Sequence, residues 1–104
     1  MAKYQLNRTP THPGEVLREE FLSPLGITQT GLAKEHKTSF RTINEILNEK
    51  RSVSPDIALR LSRYFGTSPD VWIGLQADYD LYWATVNSKK TIDEIKPRQG
   101  TKAK

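Results

Sequence analysis

A chain of 104 residues with 36% hydrophobic content is long enough for one compact core and too short for two ordinary domains. It has no cysteine, which excludes a disulfide framework and a thiolate metal site. The formal net charge is +4, but Lys89, Lys90, Lys96, Arg98, Lys102 and Lys104 set against Asp93 and Glu94 account for the whole excess, so the overall basicity says little about partners.

Residues 1–11 form an N-terminal arm without the apolar core of a signal peptide. No apolar run approaches the roughly 20 residues that span a bilayer, so a soluble, cytoplasmic protein is expected. A brief alternation at Tyr4 to Leu6 is the only candidate strand. His12-Pro13-Gly14-Glu15 then marks a helix start with proline at the first helical position, and Val16, Leu17, Phe21 and Leu22 follow until Pro24 is expected to stop the helix. Leu25 and Ile27 are apolar links beneath the next element.

Thr28 suits the N-cap of a second, short helix whose inward positions are Leu32 and Ala33; the small alanine lets another helix come close. The apolar pattern stops after His36. Lys37-Thr38-Ser39 offers a polar turn in which Thr38 or Ser39 caps a third helix. Ile43, Ile46 and Leu47 give that helix one narrow apolar stripe, leaving Phe40, Arg41, Asn44, Glu45 and Asn48 on its free face. Residues 48–53 read as a polar connection. Ser54-Pro55-Asp56 opens a fourth helix carrying Ile57, Leu61, Tyr64 and Phe65 up to Gly66. Ser68-Pro69-Asp70 opens a fifth, with Val71, Trp72, Leu75, Tyr79, Tyr82 and Val86 at helical spacing for about four turns. The fold expected is all-α, with a compact helical domain over residues 12–87 and a basic, flexible tail over 88–104.

Two short helices around a polar turn have the layout of a helix-turn-helix, whose second helix fits a major groove about 12 Å wide. Lys34, Lys37, Arg41, Lys50 and Arg51 supply local positive charge against Glu35, Glu45 and Glu49. The same pattern also occurs in all-α domains that bind nothing, so spacing alone leaves both readings open. Catalysis has little support: His12 sits at a cap, His36 near a turn, and there is no glycine-rich phosphate loop, cofactor motif or metal-ligand spacing. Glu19 and Glu20 read as a solvated face, and the basic tail lacks the aromatic interleaving that stacks single-stranded bases. Trp72 and Leu75 are expected to complete the core, while Tyr79, Tyr82, Trp83 and Val86 lie beyond what a small globule covers and are expected at a two-fold interface.

Taken in order, Thr11-His12-Pro13-Gly14-Glu15, the Gln29 to Asn48 segment, Lys50-Arg51 with Ser54-Pro55, and Ser68-Pro69-Asp70-Val71-Trp72 running to Leu75-Gln76 and Tyr79-Asp80-Leu81 resemble the HigA-type antitoxins of the Cro/repressor-like helix-turn-helix superfamily. The resemblance covers about Thr11 to Trp83. It implies a five-helix Cro/repressor-like DNA-binding domain that forms a homodimer, binds an inverted-repeat operator on double-stranded DNA in its own promoter, and neutralises a HigB-type mRNA-cleaving toxin. A solitary regulator of the same fold without a toxin would carry the same residues.

By the same resemblance, Gln29 touches phosphate and braces helix three. The turn residues Lys37 and Thr38 lie at the DNA, Ser39, Phe40, Arg41, Thr42, Asn44 and Glu45 reach bases and backbone, and Asn48, Lys50 and Arg51 grip phosphate. The family's usual turn glycine is Lys37 here, which implies either a left-handed residue at a cost of about 1 kcal/mol or a different turn. Phe40 suits a thymine methyl group, and Glu45 either accepts from a cytosine amino group or orients Arg41.

Overall fold

The computed structural model describes residues 9–99. The Tyr4 to Leu6 alternation, most of the N-terminal arm and the last two lysines lie outside them. The described residues are all-helical, in five helices.

The first helix, α1, is continuous but changes pitch, with an α-helical turn at Pro13–Val16, a π-helical segment at Leu17–Leu22 and a closing α-helical stretch at Ser23–Leu25. Pro24 therefore lies inside the helix and does not stop it. A proline clashes with the carbonyl four residues back and has no N–H to offer; in the wider π segment the Ser23 N–H reaches back five residues to the Arg18 carbonyl, and the ladder passes the proline. Gly26, at φ 66°, ends the helix.

α2 (Gln29–Glu35), α3 (Phe40–Leu47), α4 (Pro55–Phe65) and α5 (Pro69–Glu94) each begin on a hydroxyl cap. Thr28, Ser39, Ser54 and Ser68 accept from the N–H groups of Gly31, Thr42, Ile57 and Asp70, each of which would otherwise lack a helical partner. Gly66, at φ 74°, closes α4.

Leu17, Leu32, Ile43, Ile46, Leu61 and Trp72 are fully enclosed and form the core, with Phe21, Phe65, Ile73 and Leu75 packed on its edge. The expected core placement of Trp72 and Leu75 holds. Trp72 has its indole N–H bonded to the Thr67 hydroxyl at 2.8 Å and its ring 5.5 Å from Phe21. The nominally polar connection after α3 also contributes: Val53 is buried, and its N–H donates to the Gln76 side-chain oxygen at 2.8 Å.

α5 has 26 residues, and its two halves differ. Trp72, Gln76 and Tyr82 are buried, whereas every residue from Val86 onward is exposed, so the helix stands clear of the domain and stretches the molecule to 53 Å. It continues to Glu94 and does not end near Val86, which makes Ser88 to Glu94 helical; Lys89 and Asp93 pair at 2.9 Å one turn apart within that extension. No helix among the described residues is long and apolar enough to cross a membrane.

Candidate nucleic-acid interface

The placement of α3 follows from small residues and arginines contributed by its neighbours. A Cβ on Gly14 would lie 1.9 Å from the Ile46 carbonyl oxygen, so only glycine lets α1 approach α3 this closely. His12 holds Gly14 there by accepting its N–H at Nδ1, 2.8 Å away, which requires a neutral ring with that nitrogen unprotonated. The His12 ring is buried edge-on against Tyr79, and burial holds its pKa below the usual histidine value, partly opposed by Glu49 and Asp80.

α2 and α3 each close on a left-handed residue that is not glycine. At the end of α2 Lys37 has φ 53°, and the Thr38 N–H reaches back to the Ala33 carbonyl at 3.0 Å. Of the two turn geometries open to the sequence, the left-handed one is realised. Arg60 of α4 secures it by donating to the His36 and Lys37 carbonyls at 2.6 and 2.9 Å while pairing with Asp56. At the end of α3 Glu49 has φ 61°, the Lys50 N–H reaches the Glu45 carbonyl at 2.8 Å, and Arg18 of α1 donates to the Leu47 carbonyl. Arg18, Arg60, Gly14 and Gln76 were not among the expected site residues. Their roles depend on contacts between distant segments; the Asp56–Arg60 spacing of four is the one local hint.

With Ile43, Ile46 and Leu47 buried, the opposite face of α3 is open, and the expected site residues fall into connected sets. Ser39 and Thr42 hydroxyls lie 2.9 Å apart at the helix start. Asn44 donates to the Gln29 side-chain oxygen at 2.9 Å and accepts from Asn48 at 3.2 Å, tying α2 to α3 along one line of amides. Glu45 accepts from Arg41 at 3.0 Å and from Arg51 at 2.9 and 2.7 Å. These bonds hold its carboxyl below the usual range. Of the two roles open to Glu45, the geometry fits the one that orients arginine. Arg41 remains 82% exposed, with one of its five N–H groups committed to Glu45. Lys37, Lys50 and Arg51 are exposed, Thr38 is half-buried, and Phe40 is 50% exposed.

The four aromatic and aliphatic positions expected at a two-fold interface are divided. Trp83 and Val86 are exposed, and Tyr79 is half-buried against His12. Tyr82 differs from them: it is 8% exposed within a single chain, and its hydroxyl accepts from the Thr9 hydroxyl at 3.3 Å.

The helix-turn-helix family pattern matches residues 17–72. Among curated proteins, virulence-associated protein I of Dichelobacter nodosus is 46% identical over 86 residues, covering 83% of this chain and 79% of its own. Among solved structures, the Pseudomonas aeruginosa antitoxin HigA with the higBA promoter superposes with a TM-score of 0.81 at 46% identity, covering 85% of this chain and 97% of that one. The antitoxin GraA in complex with its operator superposes with a TM-score of 0.85 at 36% identity, covering 97% and 99%.

Proposed function

We propose, because the chain belongs to the helix-turn-helix family and within it to the HigA-type antitoxins, that it represses its own promoter by binding operator DNA and neutralises a HigB-type toxin. The observation that carries this reading is the exposed face of α3, where one carboxylate and one line of amides hold the polar side chains in fixed positions before any partner arrives. Such pre-ordering lowers the side-chain entropy lost on docking.

In this reading α3 enters the major groove. Arg41 reaches base edges or phosphate, Gln29 and Asn44 set the angle of α3 on α2, and Lys37, Lys50 and Arg51 meet phosphates on either side. Operator symmetry calls for a dimer whose recognition helices lie about 34 Å apart, one turn of B-DNA. Trp83 and Val86, the apolar residues where α5 leaves the domain, are the surface that a second copy covers.

The test is a footprint of the full chain on the DNA upstream of its own gene, with and without the product of the adjacent gene. Protection of two half-sites on one face of the duplex is expected, together with co-purification of the adjacent product. Absence of protection would sink the operator reading, and protection without any complex with the neighbour would remove the toxin from it. Arg41→Ala combined with Asn44→Ala should abolish protection and leave the helical circular dichroism signal unchanged.

A further inference from the structure

Phe40 is an apolar group in a face otherwise made of polar residues. It occupies the first position of α3, is half exposed, and makes no ring contact with another described residue. A phenylalanine left in water here forgoes the gain available from burial, so it is best accounted for by what it covers when α3 is occupied. The side chains around it are already engaged: Ser39 and Thr42 with each other, Asn44 with Gln29, and Glu45 with two arginines. At the N-terminal turn, the part of a recognition helix that meets base edges, an aromatic edge and the Arg41 guanidinium therefore remain available. The major-groove edges of the four base pairs present hydrogen-bond donors and acceptors and one apolar group, the C5-methyl of thymine.

Resting on the operator reading above, we propose that Phe40 reads a C5-methyl pyrimidine in each operator half-site, with thymine as the unmodified source of that methyl. Glu45 then acts beside it as a positioning residue for Arg41 and Arg51 and not as a cytosine reader. Covering one methyl group is worth about fourfold in affinity per half-site.

The experiment uses the full chain and a duplex from its own upstream region, trimmed to the footprint. Thymines are replaced one at a time by deoxyuridine, which removes the methyl and keeps the base pair. One position per half-site is expected to weaken wild-type binding by about fourfold, and Phe40→Ala should bind the thymine and uracil duplexes equally. Phe40→Leu should keep part of the preference, which separates contact from folding; circular dichroism checks that both variants are helical. If the contacted pyrimidine is a cytosine, no uracil position responds and 5-methylation of one cytosine strengthens binding instead, which places the methyl on a modified base and overturns thymine as its source. Equal affinity for every uracil and methylcytosine duplex overturns the methyl reading while leaving operator binding intact. A uracil effect that persists in Phe40→Ala assigns the methyl to another residue and overturns it as well. If the wild-type chain fails to bind the parent duplex at all, operator binding itself falls.

Discussion

The turns at Lys37 and Glu49 frame α3 and are built alike, but their side chains have different uses. Both residues are left-handed, at about 1 kcal/mol each for an L side chain, and in both an arginine from another helix donates to the carbonyls at the preceding helix end. Glu49 directs its carboxylate toward Arg18 at 3.9 Å, so the side chain that strains the turn also helps its clamp. Lys37 is exposed and has no side-chain partner among the described residues. Backbone strain after α3 thus goes with an internal contact, and strain before it with a charge presented outward.

Gly14→Ala should have the largest effect and disable the turn at Glu49 alone. The new Cβ would collide with the Ile46 carbonyl, α1 would have to withdraw from α3, and Arg18 would leave the Glu49 turn while Arg60 stayed at Lys37. A loss of about 3 kcal/mol or more is expected from urea denaturation. A loss under about 1 kcal/mol would show that α1 does not fix the second turn.

Next come the two clamps. Arg60→Ala and Arg18→Ala each remove charge-assisted bonds to helix-end carbonyls, and each should cost about 1 to 3 kcal/mol. Because the residues act on opposite ends of α3, the double variant should be close to additive. Strong coupling would mean that the two turns form one unit.

His36 lies at the Arg60 clamp and His12 at the Gly14 contact, and acid should act on both. His36 is enclosed at the end of α2 with neither ring nitrogen completing a hydrogen bond, and burial holds its pKa down. His12 is held down in the same way. Groups with lowered folded-state pKa bind more protons when unfolded, so their contribution is present above the usual value near 6.5 and is lost as pH falls through and below it. Stability measured from pH 7.5 to 5 should therefore decline, and the decline should be shallower in His36→Phe, which keeps the packing against Tyr64 and Phe65. An unchanged profile in that variant would assign the decline to His12 or to the carboxylates.

Local chemistry made much of the fold readable before the structure. Four hydroxyl caps, two Ser-Pro-Asp starts and the stripe of Ile43, Ile46 and Leu47 each depend on neighbours within a turn or two, and each element formed where those signals stood. Pro24 misled because the π segment that accommodates it has no sequence signature of its own. The far end of α5 misled for the opposite reason: Ser88 to Glu94 are polar and unpacked, but helical pairs such as Lys89 with Asp93 continue a helix whose first half is anchored in the core. Tyr82 lies far enough along its helix to read as beyond the globule, but it is buried, and its hydroxyl contact is with Thr9, 73 residues away in sequence. At the candidate site, periodicity places Glu45 and Asn44 on the open face of α3, whereas their bonds to Arg51 and Gln29 depend on how the turns aim their neighbours.

The smallest expected effect discriminates most finely between the two turns. Lys37→Gly removes left-handed strain and should raise stability by about 1 kcal/mol, a shift of several degrees in the melting temperature of a domain this size. Glu49→Gly relieves the same strain but removes the carboxylate that faces Arg18, so its gain should be smaller. Operator binding should order the variants the other way. Lys37→Gly should weaken binding and flatten its salt dependence by about one unit of slope, as expected for one lost phosphate contact, whereas Glu49→Gly should leave the slope unchanged. The two measurements must be made on the same preparations, because a stability gain at Lys37 without a change in salt slope would leave its strain without a function at the DNA. Equal stability gains at the two sites would remove the internal use assigned to Glu49.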